Sequence, residues 1–389
     1  MNQRKRVIET LTFGDPDRVP LWFWGDPRPP TLEYWHQTGL PKNVYWKKHL
    51  FETLGIEKNM VRGEASIGIE QGNLGWIDPG VSFNMIPKFE EKILEQKSGH
   101  YIVRNWQGQI VEIDKEDWKY IQDGPEVGFT TRKWHKFPVE KREDWEKIKE
   151  KYDPYDERRY PDNFDKKCQI LKDIEVPVAF NFPGPFWKIR DWVGFERICR
   201  MFRKEPDFLK DMIDFWTNFI SKTMANFLEE TKVDRVQINE DMAFKKHSMI
   251  SPKMVRKFLK PSYEKWVKEI KKTGCPIVEI DSDGYIGNLI PIWIDSGINS
   301  TFPVEVAAGN DIVEYREMYG KKMAYQGGID KRAIAKGGKT MKKEVMRVVP
   351  PLLEKGGYIP GIDHAIPSDV SWHNFVEYIE LLAKLTGWL

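Results

Sequence analysis

From residue 177 onward, short apolar runs alternate with longer amphipathic stretches. The runs are 177–183 (PVAFNFP), 234–240 (DRVQINE), 276–281 (PIVEID), 298–304 (INSTFPV), 323–327 (MAYQG) and 357–362 (GYIPGI). Each has strand length and is mostly apolar, the pattern of parallel strands buried on both faces. The stretches between them are helical. Phe208, Met212, Phe215, Phe219 and Phe227 recur at helical spacing behind Pro206. Ser251-Pro252 supplies an N-cap and a first-turn proline, and Gly274 closes that helix. Gly297 and Gly356-Gly357 close later helices, and Ser371 opens the last, whose apolar face carries Phe375, Ile379 and Leu382.

Six strand–helix units, with further strands expected at 19–24 (VPLWFW) and 61–69, predict an α/β fold of the (β/α)8 TIM-barrel type. The alternative is an open doubly wound sheet. It would advertise a glycine-rich first turn, and neither GxGxxG nor GxxxxGK[ST] occurs. Residues 83–137 read differently. Ile93–Glu95, Tyr101–Val103 and Gln109–Ile113 suggest antiparallel strands, with a turn over Asn105 to Gly108. The expectation is one barrel domain over 1–389, with an antiparallel insertion at about 83–137 after the second strand. The charged segment 140–152 is expected to be a solvated helix leading back to the barrel.

Composition narrows the function classes. The 389 residues are 40% hydrophobic and 31% charged, with 61 Lys plus Arg against 59 Asp plus Glu. A net charge of +2 argues against a dedicated nucleic-acid binder, which needs a basic stripe. The longest apolar stretches are too short to span a bilayer, and no apolar core follows the basic opening residues, so a soluble, cytoplasmic protein is expected. Three widely spaced cysteines, Cys168, Cys199 and Cys275, fit buried free thiols rather than disulfides or a thiolate zinc site. Sixteen tryptophans leave room for an aromatic-lined pocket beyond the core.

In a barrel, chemistry sits at the C-terminal ends of the strands. Those ends are unusually polar: Asn239, Glu240 and Asp241; Asp281, Ser282 and Asp283; Glu305; Gln326; Asp363 and His364. Such a cluster can divide into a general acid and a base, or bind a cation through carboxylates and an imidazole. Any one of these residues could instead cap a helix or make a turn.

Four segments resemble the uroporphyrinogen decarboxylase superfamily: RKRVIETLTFGDPDRVPLW at the start, KREDWEKIK in the middle, QINEDMAFKKHSMISPKMVRKFLKPSYEKW, and GIDHAIPSDVSWHNFVEYIELL at the end. The resemblance implies a (β/α)8 barrel. Decarboxylating members carry RQAGR after the first strand to grip substrate carboxylates. Here that place reads FWGDPRPP, with Arg28 as the lone arginine. Members that methylate thiols bind zinc through His-x-Cys and a later Cys. Here those places read Asp281-Ser282-Asp283 and Gly361-Ile362-Asp363-His364, without cysteine.

The resemblance therefore implies the remaining branch, methyltransferases that demethylate methoxyarenes by passing the methyl to Co(I) of a separate corrinoid protein. Uroporphyrinogen decarboxylation, or methyl transfer from methylcorrinoid to tetrahydrofolate or a thiol, are the alternatives. On this reading Asp241, Asp281, Asp283, Asp363 and His364 are the catalytic candidates. Trp22, Trp24, Phe182, Trp187 and Met242 would shape a ring pocket, and Arg28 or Arg190 would pair with a ring carboxylate. Asp281, Asp283, Glu240, Glu305 and His364 could hold a divalent metal such as zinc, with plain acid–base use as the other option. The DxHxxG loop of corrinoid proteins is absent, so the cobalamin would arrive on a partner. Monomer and homodimer both stay open.

Overall fold

The computed structural model describes residues 1–21, 27–56, 76–118 and 132–389. The chain forms two compact units, one of residues 1–80, 162–183 and 225–389, the other of residues 81–161 and 184–224. Among the described residues no helix is long and apolar enough to cross a membrane.

The second unit holds a four-stranded antiparallel sheet, β1 (Lys92–Gln96), β2 (His100–Arg104), β3 (Ile110–Asp114) and β4 (Arg132–Lys136), in sequential order. The first three match the sequence expectation. The fourth, RKWHK, was not legible because Trp134 is its one apolar residue and stands exposed among four basic ones. The helical part of this unit is aromatic. The rings of Trp145, Tyr152, Trp192, Phe215, Trp216 and Phe219 meet mostly edge to face at 4.9–6.4 Å. The Lys188 ammonium is buried 5.4 Å from the Trp216 ring and 5.6 Å from that of Tyr152. Much of the tryptophan excess is thus structural: Trp35, Trp145, Trp192, Trp216, Trp266 and Trp293 are all fully buried. Cys168 and Cys275 are buried thiols, whereas Cys199 is only half-buried.

The first unit is an α/β fold around six parallel strands, β5 (Ala179–Pro183), β6 (Arg235–Asn239), β7 (Ile277–Asp281), β8 (Ser300–Phe302), β9 (Ala324–Ile329) and β10 (Tyr358–Ile362). They lie side by side in sequence order. That order is the barrel's; a doubly wound sheet reverses at a switch point. Each strand falls within or beside a predicted run. Beyond β5, Ile77 makes a parallel bridge to Val178, with Ile77 N–H on Pro177 O at 2.8 Å. The expected strand at 61–69, and residues 22–24 of the expected first strand, lie outside the described residues.

Side-chain parity explains what each face does. On the outer face Val236, Ile238, Val278 and Ile280 are buried, each such side chain stabilising by about 2 kcal/mol. Phe180 packs on Phe227 and Phe182 on Trp266 at 4.9 and 5.0 Å. On the inner face Ile277, Phe302, Ala324 and Ile359 form an apolar cluster with Leu11 of the N-terminal helix Gln3–Leu11. Beside it the inner face is polar. Arg235 and Glu279, both buried, form an ion pair joined by Gln237, Ser300 and Gln326. The Trp76 ring lies 3.9 Å from the Arg235 guanidinium. A buried charge needs such partners, since an isolated one costs several kcal/mol.

Candidate functional site

The next inner layer and the loops above it carry the chemistry. Asp281 ends β7, continuing the inward parity of Ile277 and Glu279. Among the described residues Asp241, Asp281 and Asp283 bring one carboxylate oxygen each within 4.8 Å of one another, all three half-buried. The loops are tied so that this convergence holds. Asp241 Oδ1 accepts the Asp283 N–H at 2.8 Å, and Ser282 Oγ accepts the Met242 N–H at 3.3 Å. Glu305 Oε2 accepts the Gly284 N–H at 2.9 Å. Asn310 donates to the Gly284 and Glu305 carbonyls at 2.8 and 2.7 Å, and its own carbonyl accepts Tyr315 OH.

Gly284 is required by geometry. Its φ is +80°, and a Cβ there would lie 2.4 Å from the Ala243 carbonyl oxygen.

His364, after β10, reaches across the strand ends: its Nε2 is 3.0 Å from Asp283 Oδ1. Burial pulls the His364 pKa down, but the bond to Asp283 and its charge outweigh this, leaving it above the ordinary value. Asp281 moves the same way for other reasons. Burial first, then repulsion from Asp241, Asp283 and Glu279, raises it well above the usual carboxylate range against the opposing charge of Arg235. Three carboxylates this close hold either a proton or a cation among them. Burial likewise raises Asp363.

Several expected site residues are placed elsewhere. Glu240 is fully buried and accepts the Tyr263 hydroxyl at 2.6 Å, because it follows the inward Asn239 and so falls on the opposite face. It stands apart from the carboxylate trio, which corrects its inclusion among the metal ligands. Glu305 braces the Gly284 backbone. Asp363 is fully buried, with its oxygens on the N–H groups of Val306 and Lys331 at 2.8 and 3.1 Å. It ties the loops after β8 and β9 together, and His364 is the member of the pair that meets Asp283. Phe182 packs beneath the sheet against Trp266, and Met242 is fully buried with its sulfur 3.9 Å from Tyr263 OH. Neither lines an open mouth.

Arg28 is exposed at the start of the helix Pro29–Gln37. Trp187 and Arg190 belong to the second unit, where the guanidinium lies 3.8 Å from the indole. Trp22 and Trp24 lie outside the described residues.

Sequence reasoning missed the polar residues inside the strands: Asn181, Arg235, Gln237 and Glu279. The signal was the period-two polarity of F-N-F, R-V-Q-I-N and V-E-I-D, overlooked because each run is mostly apolar.

The family model of uroporphyrinogen decarboxylase (URO-D) matches residues 125–385. Among solved structures, a methyltransferase from Methanosarcina mazei aligns over 97% of this chain and 97% of that one, with 14% identity and a TM-score of 0.56. A putative vitamin-B12 independent methionine synthase from Listeria monocytogenes aligns over 58% of this chain and 69% of that one, with 9% identity and a TM-score of 0.35, too distant to argue from. No curated protein matches the sequence.

Proposed function

The chain belongs to the uroporphyrinogen decarboxylase family, and from that premise we propose that it is a methyltransferase that demethylates a methoxyarene, with Co(I) of a separate corrinoid protein as methyl acceptor. The observation that carries this reading is the carboxylate trio Asp241, Asp281 and Asp283 with His364 on Asp283. It stands where thiol-methylating relatives, by the resemblance above, would place cysteine. An all-carboxylate and imidazole set suits stabilising a departing oxygen better than activating a thiol. The segment FWGDPRPP, with one arginine, argues against gripping a substrate rich in carboxylates. The full-length alignment to a methyltransferase adds support.

In the proposed reaction the Co(I) electron pair attacks the methyl carbon. The methyl–oxygen bond breaks, a methyl–cobalt(III) bond forms, and a phenolate leaves. His364, which holds its proton more tightly than an ordinary imidazole, donates to the departing oxygen, and Asp283 steadies the imidazolium that precedes it. Asp241 and the ties to Glu305 fix Asp283 in place before reaction, so no reorganisation is needed as charge develops. Asp241, Asp281 and Asp283 also fit a divalent cation by donor type and spacing. A cation held there would act as a Lewis acid on the same oxygen.

The test is anaerobic incubation with a reduced corrinoid protein and a panel of methoxyarenes, followed by absorbance. Conversion of the Co(I) spectrum to that of methylcobalt, dependent on the protein and on one or a few ethers, is the expected result. Release of carbon dioxide from uroporphyrinogen, without methylcobalt, would replace this reading with the decarboxylase one.

A further inference from the structure

A chain of side-chain hydrogen bonds inside the barrel sheet has a fixed direction. It starts at Arg235, which can only donate. Arg235 donates to Gln237 Oε1 at 3.1 Å, so the Gln237 amide must present its nitrogen at the other end, and that nitrogen donates to Asn239 Oδ1 at 2.6 Å. Asn239 then donates through Nδ2 to Asn181 Oδ1 at 3.0 Å. Each amide orientation follows from the one before it, back to a guanidinium locked to Glu279. The polarity therefore does not depend on how any single amide is assigned.

The chain ends at Asn181. Its carbonyl is occupied, and among the described residues its amide nitrogen donates to no protein group. Asn181 is also the exposed residue of β5, between the buried Phe180 and Phe182. An exposed amide held in one orientation by buried and half-buried partners is preorganised to donate to a ligand.

We infer that Asn181 recognises the ring of the substrate: its amide N–H donates to a hydrogen-bond acceptor on the end of the ring opposite the methoxy group. This rests on the aromatic-ether reading above. Asn181 sits on β5 and the acidic cluster begins at Asp281 on β7, with β6 between them. Two strand spacings make roughly 10 Å, room for one aromatic ring with a hydrogen bond at each end. In register Asn181 is level with Gln237 and Glu279, one pleat deeper than Asp281. The ring would enter with its acceptor end first and its methyl ether nearer the mouth, where the acidic residues lie and a corrinoid protein would approach. The substrate class narrows accordingly to methoxyarenes with a carboxylate, carbonyl or hydroxyl oxygen across the ring.

Calorimetric binding of two probes tests this without turnover: para-methoxybenzoate, and para-methoxytoluene, in which a methyl replaces the carboxylate. Wild type is expected to favour para-methoxybenzoate by about tenfold, the worth of one hydrogen bond to a charged acceptor. Asn181→Leu should bring that ratio close to one while keeping para-methoxytoluene affinity. Asn181→Asp, nearly isosteric and free of any folding burden from lost volume, should push the ratio below one. Variants that fold, by circular dichroism, and keep the wild-type ratio would overturn the inference alone. Failure of both probes to bind wild type would overturn the aromatic-ether reading and this inference with it.

Discussion

Asp283 stands at the meeting point of the candidate site. Its backbone N–H is on Asp241, its carboxylate is on His364, and it shares a small volume with Asp281. Asp283→Asn keeps the shape and removes the charge. Methyl transfer is expected to fall by about two orders of magnitude, the usual worth of a positioned proton-transfer group. The thermal midpoint should stay within a few degrees of wild type. Unchanged turnover would reduce Asp283 to a turn residue. At this scale position along the chain singled out residues that the structure brings together. Asp241, Asp281, Asp283 and His364 were all picked from strand ends. It failed at Glu240, because a list of strand-end carboxylates does not say which face each one takes. The buried charges Arg235 and Glu279 mark the inward parity of β6 and β7, and counting from them sends Asn239 inward and Glu240 outward. Phe182 failed in the same way, facing the helices with Phe180.

At the scale of elements, the loop after β7 is held by contacts that converge on one glycine. Gly284 donates its N–H to Glu305 and its carbonyl accepts from Asn310, at a φ of +80°. Gly284→Ala adds a methyl 2.4 Å from the Ala243 carbonyl and forces a left-handed conformation on an L-residue. The expected cost is about 2 kcal/mol or more, with loss of activity as Asp283 shifts away from Asp241. Denaturant unfolding beside a turnover assay checks it, and a variant matching wild type in both would show that this loop tolerates rearrangement. The six parallel strands were legible because burial on both faces leaves an apolar run that polar flanks delimit. Helix ends were legible through chemistry: Ser371 accepts the Asn374 N–H at 3.1 Å, and Gly274, Gly297 and Gly356 take positive φ after helices. β4 was not legible, since its sequence RKWHK carries no hydrophobic period and its side-chain tie to β3, His135 on Glu112 at 2.9 Å, is a polar one.

At the scale of the molecule, the N-terminal helix closes the lower end of the sheet through Leu11 and is anchored by charge. Asp17 takes hydrogen bonds from buried Arg6 at 2.8 and 2.9 Å and from the Met1 ammonium at 3.3 Å. The bond to Arg6, more than burial opposes it, holds the Asp17 carboxyl well below the usual carboxylate range. A carboxylate depressed in the folded state binds fewer protons there than in the unfolded chain. Its stabilisation is therefore present above the unfolded value of about 3.9 and is lost as pH falls toward the folded one. Asp17→Asn should cost about 1 kcal/mol at neutral pH, discounted because Asp17 is one-third exposed, and the difference should shrink steadily as pH falls below about 3.9. Urea unfolding across that range would contradict the account if the difference were independent of pH.

The central claim concerns the destination of one carbon. A methoxyarene carrying a fully deuterated methyl group, incubated anaerobically with the protein and a Co(I) corrinoid protein, follows that carbon directly by mass spectrometry. The account predicts a deuterated methyl on cobalt and a stoichiometric amount of the demethylated phenol, with both formed about a hundredfold more slowly in Asp283→Asn. Methylcobalt without deuterium, or phenol formed while cobalt stays unmethylated, would contradict it.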